Sequence, residues 1–202
     1  MSKILADKLA DLVPFRAYEY KAFCEIDRKH FVPEGFKYKA YEITAIPLDE
    51  DSTISSPLTV AKMTHYLNLE NVDSVLEIGC GSGYQAAILS KIVRRVFTID
   101  RICELVEKAK ERFKKLNIYN VNAKCDDGRL GWKTYAPYDR ILFSACIQEV
   151  PKELLNQLND NGFILAPIKK NNYQVISKIY KNGRVEEIES CEFVPIKKGI
   201  EK

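Results

Sequence analysis

Apolar residues fall along the chain in short blocks, and their rhythm changes twice. Over residues 1–13, Ile4, Leu5, Leu9, Leu12 and Val13 recur at the spacing of one helix face, with charged residues between them. Tyr18, Ala22, Cys24 and Ile26 suggest a second helical stretch, followed by Phe31-Val32-Pro33 and an aromatic, irregular run to Pro47. Ser56 and Pro57 then have the cap-and-first-residue character of a helix start, predicting a helix through Leu67. From residue 74 compact apolar runs alternate with amphipathic ones. Residues 74–78, 95–100, 121–125, 140–145 and 162–167 read as strands, and 84–93, 105–116 and 151–158 as helices. Strand–helix alternation predicts a parallel sheet covered on both faces. Beyond residue 173 the rhythm changes again. Residues 174–180 and 184–193 read as strands joined at Asn182-Gly183, a strong hairpin signal, so the parallel core is predicted to end in an antiparallel edge.

No linker or repeat separates these regions. One domain is predicted over 1–202, with an N-terminal helical extension (1–58), a parallel core (59–168) and C-terminal antiparallel strands (169–202). A chain of 202 residues, 46% hydrophobic, is long enough for one well-buried core.

Charge changes the picture little. Lys and Arg number 31 against 28 Asp and Glu, for a net +3, which points to no nucleic-acid or other charged partner. The basic run over 108–115 reads as the solvated face of a helix. Residues 1–13 lack the continuous apolar core of a leader. No stretch approaches the roughly 20 apolar residues that cross a bilayer, so no membrane association is expected. Six scattered cysteines, with no Cys-x-x-Cys pair, read as reduced thiols of a cytoplasmic protein without a metal site. His30 and His65 read as structural.

The candidate chemistry starts at Glu77-Ile78-Gly79-Cys80-Gly81-Ser82-Gly83-Tyr84, which follows a predicted strand and opens a helix. The dinucleotide fingerprint G-x-G-x-x-G would need glycine at 84, where Tyr stands, and the P-loop would need a Gly-Lys-Ser/Thr that is absent. The spacing is G-x-G-x-G, with an acidic residue two positions before the first glycine. It resembles motif I of the class I methyltransferases, which implies a Rossmann-like, doubly wound α/β fold and S-adenosylmethionine as cofactor. That cofactor has no pyrophosphate but carries an ammonium and a sulfonium, which suit a carboxylate such as Glu77. Asp100 ends the second strand about 20 residues on, where an acidic residue suits ribose hydroxyls. It could equally cap the helix beginning near Cys103. Asp126-Asp127-Gly128 follow the third strand at the same sheet edge. Asp127 is placed to accept from an adenine amino group, or to make a plain turn. With Arg101 beside Asp100, these residues complete the expected cofactor set.

The resemblance then narrows. Residues 28–33 resemble R-x-x-F-V-P; Ala40-Tyr41 and Ile46-Pro47 resemble A-Y…P; Thr53-Ile54-Ser55-Ser56-Pro57 resembles T-I-S-x-P. Residues 75–87 resemble V-L-E-I-G-x-G-S-G-Y-Q-A-A. Asp127-Gly128 with Gly131, Ala136-Pro137-Tyr138-Asp139 and Phe193-Val194-Pro195-Ile196 resemble D-G-x-x-G, A-P-[FY]-D and F-V-P-L. Together these are similar to the protein-L-isoaspartate O-methyltransferases. The resemblance implies methyl transfer from S-adenosylmethionine to the α-carboxylate of L-isoaspartyl residues in damaged proteins. The ester then cyclises to a succinimide, and S-adenosyl-L-homocysteine is the other product. It further implies a monomer, Ser55 as the catalytic residue, and Ile54, Ser56, Ser144, Val194 and Pro195 beside the substrate. Residue type alone reads 53–57 as a helix start, and both readings stand. Asp51-Ser52, Ser56 and Asp126 depart from the family's usual residues, and the acidic run Asp49-Glu50-Asp51 either repels a carboxylate substrate or simply faces solvent.

Two other functions remain open on sequence alone. One is a methyltransferase acting on a small molecule or RNA. The N/D-P-P-Y motif of amino methylation is absent after the fourth strand, where Phe143-Ser144-Ala145-Cys146 stands. The other is a binding protein that keeps the fold without catalysis.

Overall fold

In the computed structural model, which describes residues 1–48 and 52–201, the chain opens with helices α1 (Ser2–Ala10) and α2 (Ala17–Glu25). A short antiparallel pair, β1 (Ile46–Pro47) and β2 (Thr53–Ile54), leads into α3 (Pro57–Tyr66). The core follows as β3 (Ser74–Ile78), α4 (Tyr84–Ser90), β4 (Arg95–Asp100), α5 (Cys103–Lys115), β5 (Val121–Cys125), β6 (Tyr138–Phe143), α6 (Lys152–Leu155) and β7 (Leu158–Lys169). It closes with β8 (Gln174–Tyr180) and β9 (Val185–Cys191).

Seven strands form one sheet in the order β5-β4-β3-β6-β7-β8-β9. Every neighbour from β5 to β7 is parallel, and β8 and β9 are antiparallel. This is the doubly wound sheet with an antiparallel edge that the alternating pattern predicted. The chain winds outward from β3 through β4 to β5, then returns to the other side of β3 with β6. Ligands of such sheets bind outside the carboxyl ends of the strands, at the point where the order reverses.

The sequence explains the layers. Every residue of β3 is buried. Successive strand residues point to opposite faces, so Val75 packs into a cluster with α1 to α5 while Leu76 enters a second cluster under Trp132 and Leu154. Phe97 is central to the second cluster, with its ring 4.6 Å from Tyr135 and 5.5 Å from Tyr138. A third, smaller cluster of Val32, Ala40, Ile46 and Ile54 packs the N-terminal strap that carries β1 and β2. Pro57 opens α3, and the Ser56 hydroxyl accepts from the Leu58 N–H at 3.3 Å, as the cap reading predicted.

Several expectations need correction. The helix predicted over 151–158 is only the single turn of α6, because β7 begins at Leu158, opposite Tyr138, well before the predicted strand. Strand β6 lies two residues earlier than predicted, and α4 stops at Ser90. The lysines of α5 do face solvent, but Arg112 in the same basic run turns back, half-buried, to donate to the Ser82 carbonyl at 3.3 Å.

The reading of all six cysteines as reduced is overturned for two of them. Cys103 and Cys125 form a disulfide, with Cα atoms 4.9 Å apart. Cys125 lies opposite Asp100 in the β4–β5 register, and Cys103 opens the helix just after Asp100, so sheet order brings together residues that no motif pairs. Cys24, Cys80, Cys146 and Cys191 are free. Among the described residues, no cluster could hold a metal ion and no helix is long and apolar enough to cross a membrane.

Candidate active site

A cavity of about 510 Å³ opens where the chain leaves β3, β4 and β6, walled on its other side by β2 and residues 194–197. The glycine loop forms its floor. Gly79 adopts φ +100°, and a Cβ there would lie 3.3 Å from that of Ser144; Gly83 adopts φ +86°, and a Cβ would lie 2.8 Å from the Phe113 ring. Both backbone conformation and space therefore demand glycine. The loop is tied to the neighbouring strand by N–H groups of Gly79 and Cys80 donating to the Ile99 carbonyl at 2.8 and 3.2 Å.

Asp100 braces the same loop from the end of β4. Its two oxygens accept from Gly81 N–H at 2.7 Å and Ile102 N–H at 3.1 Å. Burial pushes its pKa up, opposed by these backbone donors. Ile102, not Asp100, occupies the cap position of α5, although Asp100 does satisfy its N–H.

Glu77 is fully buried at the cavity wall. It accepts from the Thr98 hydroxyl at 2.6 Å and the Ser144 hydroxyl at 3.3 Å. Burial lifts its carboxyl to about 8, and the neighbouring Cys80 thiol is pushed up for the same reason. No cationic side chain pairs with Glu77 among the described residues. A buried carboxyl with hydroxyl donors alone is a natural partner for a cationic ligand, which would supply the missing counter-charge.

Of the expected cofactor residues, Glu77, Ile78, Gly79, Cys80, Gly81, Ser82, Tyr84, Asp100, Arg101 and Gly128 line the cavity. Gly83 supports the loop from behind. A Cβ at Gly128 would collide with Ile78, so this glycine is fixed by close packing. Asp126 and Asp127 stand off the lining. Asp126 pairs with Lys124 at 2.5 Å. Asp127 is held by Arg129, which lowers its pKa to about 2, and accepts from the Gly199 N–H at 3.1 Å. Its acceptor capacity is thus largely spent within the protein. Arg101 pairs with Glu201 at 2.7 Å, drawing the C-terminal segment to the cavity rim.

On the opposite wall the cavity takes in Ile54, Ser55, Val194 and Pro195, while Ser144 lines it from the cofactor side, against Gly79 and Glu77; these are five of the six residues expected at the acceptor side. Ser56 is the exception, since its hydroxyl is used as the α3 cap. The acidic run Asp49-Glu50-Asp51 lies outside the described residues. His65 bonds Glu19 at 3.1 Å, and His30 is exposed; neither lines the cavity. Sequence reasoning missed Gln85, Ile99, Ile102 and Ile196, which also line it. Ile99 and Ile102 fall outside every motif segment, whereas Gln85 and Ile196 lie within two of them without being singled out.

A family profile described as Protein-L-isoaspartate(D-aspartate) O-methyltransferase (PCMT) matches residues 14–201. A protein-L-isoaspartate O-methyltransferase of Helicobacter pylori is 52% identical over 185 residues, covering 90% of this chain and 88% of its own length. One of Aliivibrio fischeri is 43% identical over 181 residues, covering 88% and 86%. A solved protein-L-isoaspartate O-methyltransferase superposes with TM-score 0.90 at 28% identity, over 99% of this chain and 67% of that one. A putative Plasmodium falciparum enzyme of the same description, solved with S-adenosyl-L-homocysteine, shares the fold at TM-score 0.84 and 23% identity, over 96% and 97% of the chains.

Proposed function

The chain belongs to the protein-L-isoaspartate(D-aspartate) O-methyltransferase family, and from that premise we propose that the cavity at the ends of β3, β4 and β6 is its active site, with Ser55 as the catalytic residue. The reaction is methyl transfer from S-adenosylmethionine to the α-carboxylate of L-isoaspartyl residues in damaged proteins. It initiates repair through a succinimide and leaves S-adenosyl-L-homocysteine. Neither a small-molecule or RNA methyltransferase nor a non-catalytic homologue is favoured by a family match of this extent.

The observation that carries the site assignment is the meeting of two chemistries in one cavity. Ser55 stands on one wall; Glu77 and Asp100 stand on the other. The residues fit the cofactor. The glycine loop leaves room for a ligand against the backbone, and Glu77 has no cationic partner among the described residues. Bound S-adenosylmethionine brings a methyl group already activated by its sulfonium. Glu77 and Asp100 would hold the cofactor's charged and hydroxyl groups, with Gly79, Gly81 and Gly128 in backbone contact. Asp126 and Asp127 remain in the proposal as supports of the turn that presents Gly128.

The chain's own work is placement. The acceptor carboxylate is ionised at neutral pH and needs no base. The Ser55 hydroxyl donates to one of its oxygens and so aims the other at the methyl group. Ile54, Val194 and Pro195 surround it with apolar surface that excludes water. In this reading the N-terminal extension and the C-terminal strands together form the peptide side, and the parallel core forms the cofactor side. A monomer in the cytoplasm completes the proposal, on the strength of the family resemblance. The Cys103–Cys125 bridge pulls against a reducing compartment.

The test offers labelled S-adenosylmethionine with a matched pair of peptides, one isoaspartyl and one aspartyl. Label in the isoaspartyl peptide alone is expected. Equal labelling, or none at any peptide concentration, would overturn the reading.

A further inference from the structure

Arg28 opens the R-x-x-F-V-P segment, which the reaction as described leaves without a task. Its side chain is among the largest that are fully buried. Among the described residues no carboxylate pairs with it. Instead its two terminal nitrogens donate to backbone carbonyls, while Nε is buried without a partner among the described residues. Nη1 donates to Ala40 O at 3.0 Å and Glu42 O at 3.4 Å; Nη2 donates to Thr44 O at 3.0 Å and Ser55 O at 3.1 Å. Its central carbon lies 6.0 Å from the ring centroid of Tyr84, a cavity-lining residue just beyond the glycine loop. Burial pulls its pKa down, yet an arginine stays charged in proteins.

Burying a cation without an anion is costly, and carbonyl dipoles offset only part of that cost. An apolar core residue would fill this space more cheaply. What a guanidinium adds is geometry: a planar fork that fixes the relative position of several acceptors at once, which an ammonium cannot do. Here the acceptors belong to both ends of one strap, residues 40–44 and residue 55, with β1 and β2 between them. The turn that carries Arg28 is itself locked, because the Asp27 carboxylate accepts from Lys29 N–H at 2.9 Å and from the Tyr41 hydroxyl at 2.8 Å. No other described residue hydrogen-bonds the Ser55 carbonyl.

We infer that Arg28 is a positioning residue for methyl transfer: it pins the Ser55 peptide, and through it the Ser55 hydroxyl, against the cofactor-side wall at Tyr84. The inference rests on the assignment of Ser55 given above. It makes acceptor placement depend on a residue that touches neither reactant. Its hydrogen bonds among the described residues go to the strap alone, and none goes to the core strands that build the cofactor wall.

The experiment compares Arg28→Lys, Ser55→Ala and the double variant. Methyl transfer to an isoaspartyl peptide and S-adenosylmethionine binding by calorimetry are measured for each. Arg28→Lys is expected to lower kcat/KM for the peptide by roughly 10- to 100-fold, the scale of a small misplacement of reacting groups. Its cofactor Kd is expected to stay within about threefold. The double variant is expected to lose little beyond Ser55→Ala, because both changes remove one placement. A full rate in Arg28→Lys, a parallel loss of cofactor affinity, or multiplying losses in the double variant would each overturn the inference. Arg28→Gln is made alongside, and failure of both Arg28 variants to fold would assign the residue to the fold at large and overturn it too. A full rate in Ser55→Ala sinks the Ser55 assignment itself. A slowed Ser55→Ala beside a full-rate Arg28→Lys sinks only the role of Arg28.

Discussion

The Asp100 carboxylate grips Gly81 N–H at 2.7 Å with one oxygen and Ile102 N–H at 3.1 Å with the other, so a single side chain sets the spacing between the cofactor loop and the start of α5. A ligand hydroxyl reaching Asp100 meets a carboxylate whose position is already fixed. Asp100→Ala is expected to weaken S-adenosylmethionine binding by roughly 1–3 kcal/mol, the range for losing a hydrogen bond to a charged group plus the donors left unpaired. Calorimetry checks this, and an unchanged Kd would remove Asp100 from the cofactor site.

Ser55→Ala is expected to lower isoaspartyl methylation by roughly tenfold to a hundredfold, as a loss of acceptor alignment, with cofactor affinity barely changed. Steady-state kinetics with a peptide series decides it. An undiminished rate would leave Ser55 as no more than the residue preceding a helix cap.

Glu77 gives the site a pH dependence. The native state holds its proton up to about 8, whereas an unfolded glutamate loses it above roughly pH 4.3. Stability contributed by that proton is therefore complete below the unfolded value and is lost as pH rises through the folded one. A cationic ligand favours the ionised carboxylate, so cofactor affinity is expected to rise over the same interval with release of a proton. Calorimetry in buffers of different ionisation enthalpy measures that proton, and thermal melts across the pH range measure the stability loss. Glu77→Gln is expected to flatten both trends. An affinity that does not vary with pH in the unaltered protein would contradict the assignment.

The Cys103–Cys125 bridge closes a loop of sequence separation 22. By its effect on the unfolded chain, opening a loop of this size costs about 3 kcal/mol. Cys103→Ser, or a dithiol reductant, is expected to lower Tm accordingly. If neither moves Tm, the bond is not formed in solution.

The parallel core was legible because strands buried on both faces leave continuous apolar runs such as Val75-Leu76, and because Gly79, Gly81 and Gly83 mark the turn into a helix. Ser56 and Pro57 announced α3 by local chemistry alone. What escaped depended on long-range geometry. The disulfide needed the β4–β5 register, and the early start of β7 needed its pairing with Tyr138. Asp127 is held partly by Arg129, two residues on, and partly by the Gly199 N–H, which only the fold brings near. Arg28 left no trace of its role, because its partners are main-chain carbonyls that any residue could supply.

Strand β9 lies at one rim of the sheet, where main-chain groups are open to any strand that arrives. Glu186, Glu187 and Glu189 lie along it, paired with Lys178, Lys170 and Lys62 rather than with apolar neighbours. An incoming strand would have to bury those charges, so such a rim resists lateral docking. A hem of paired charges thus leaves the sheet with an open edge that is a poor template for a further strand.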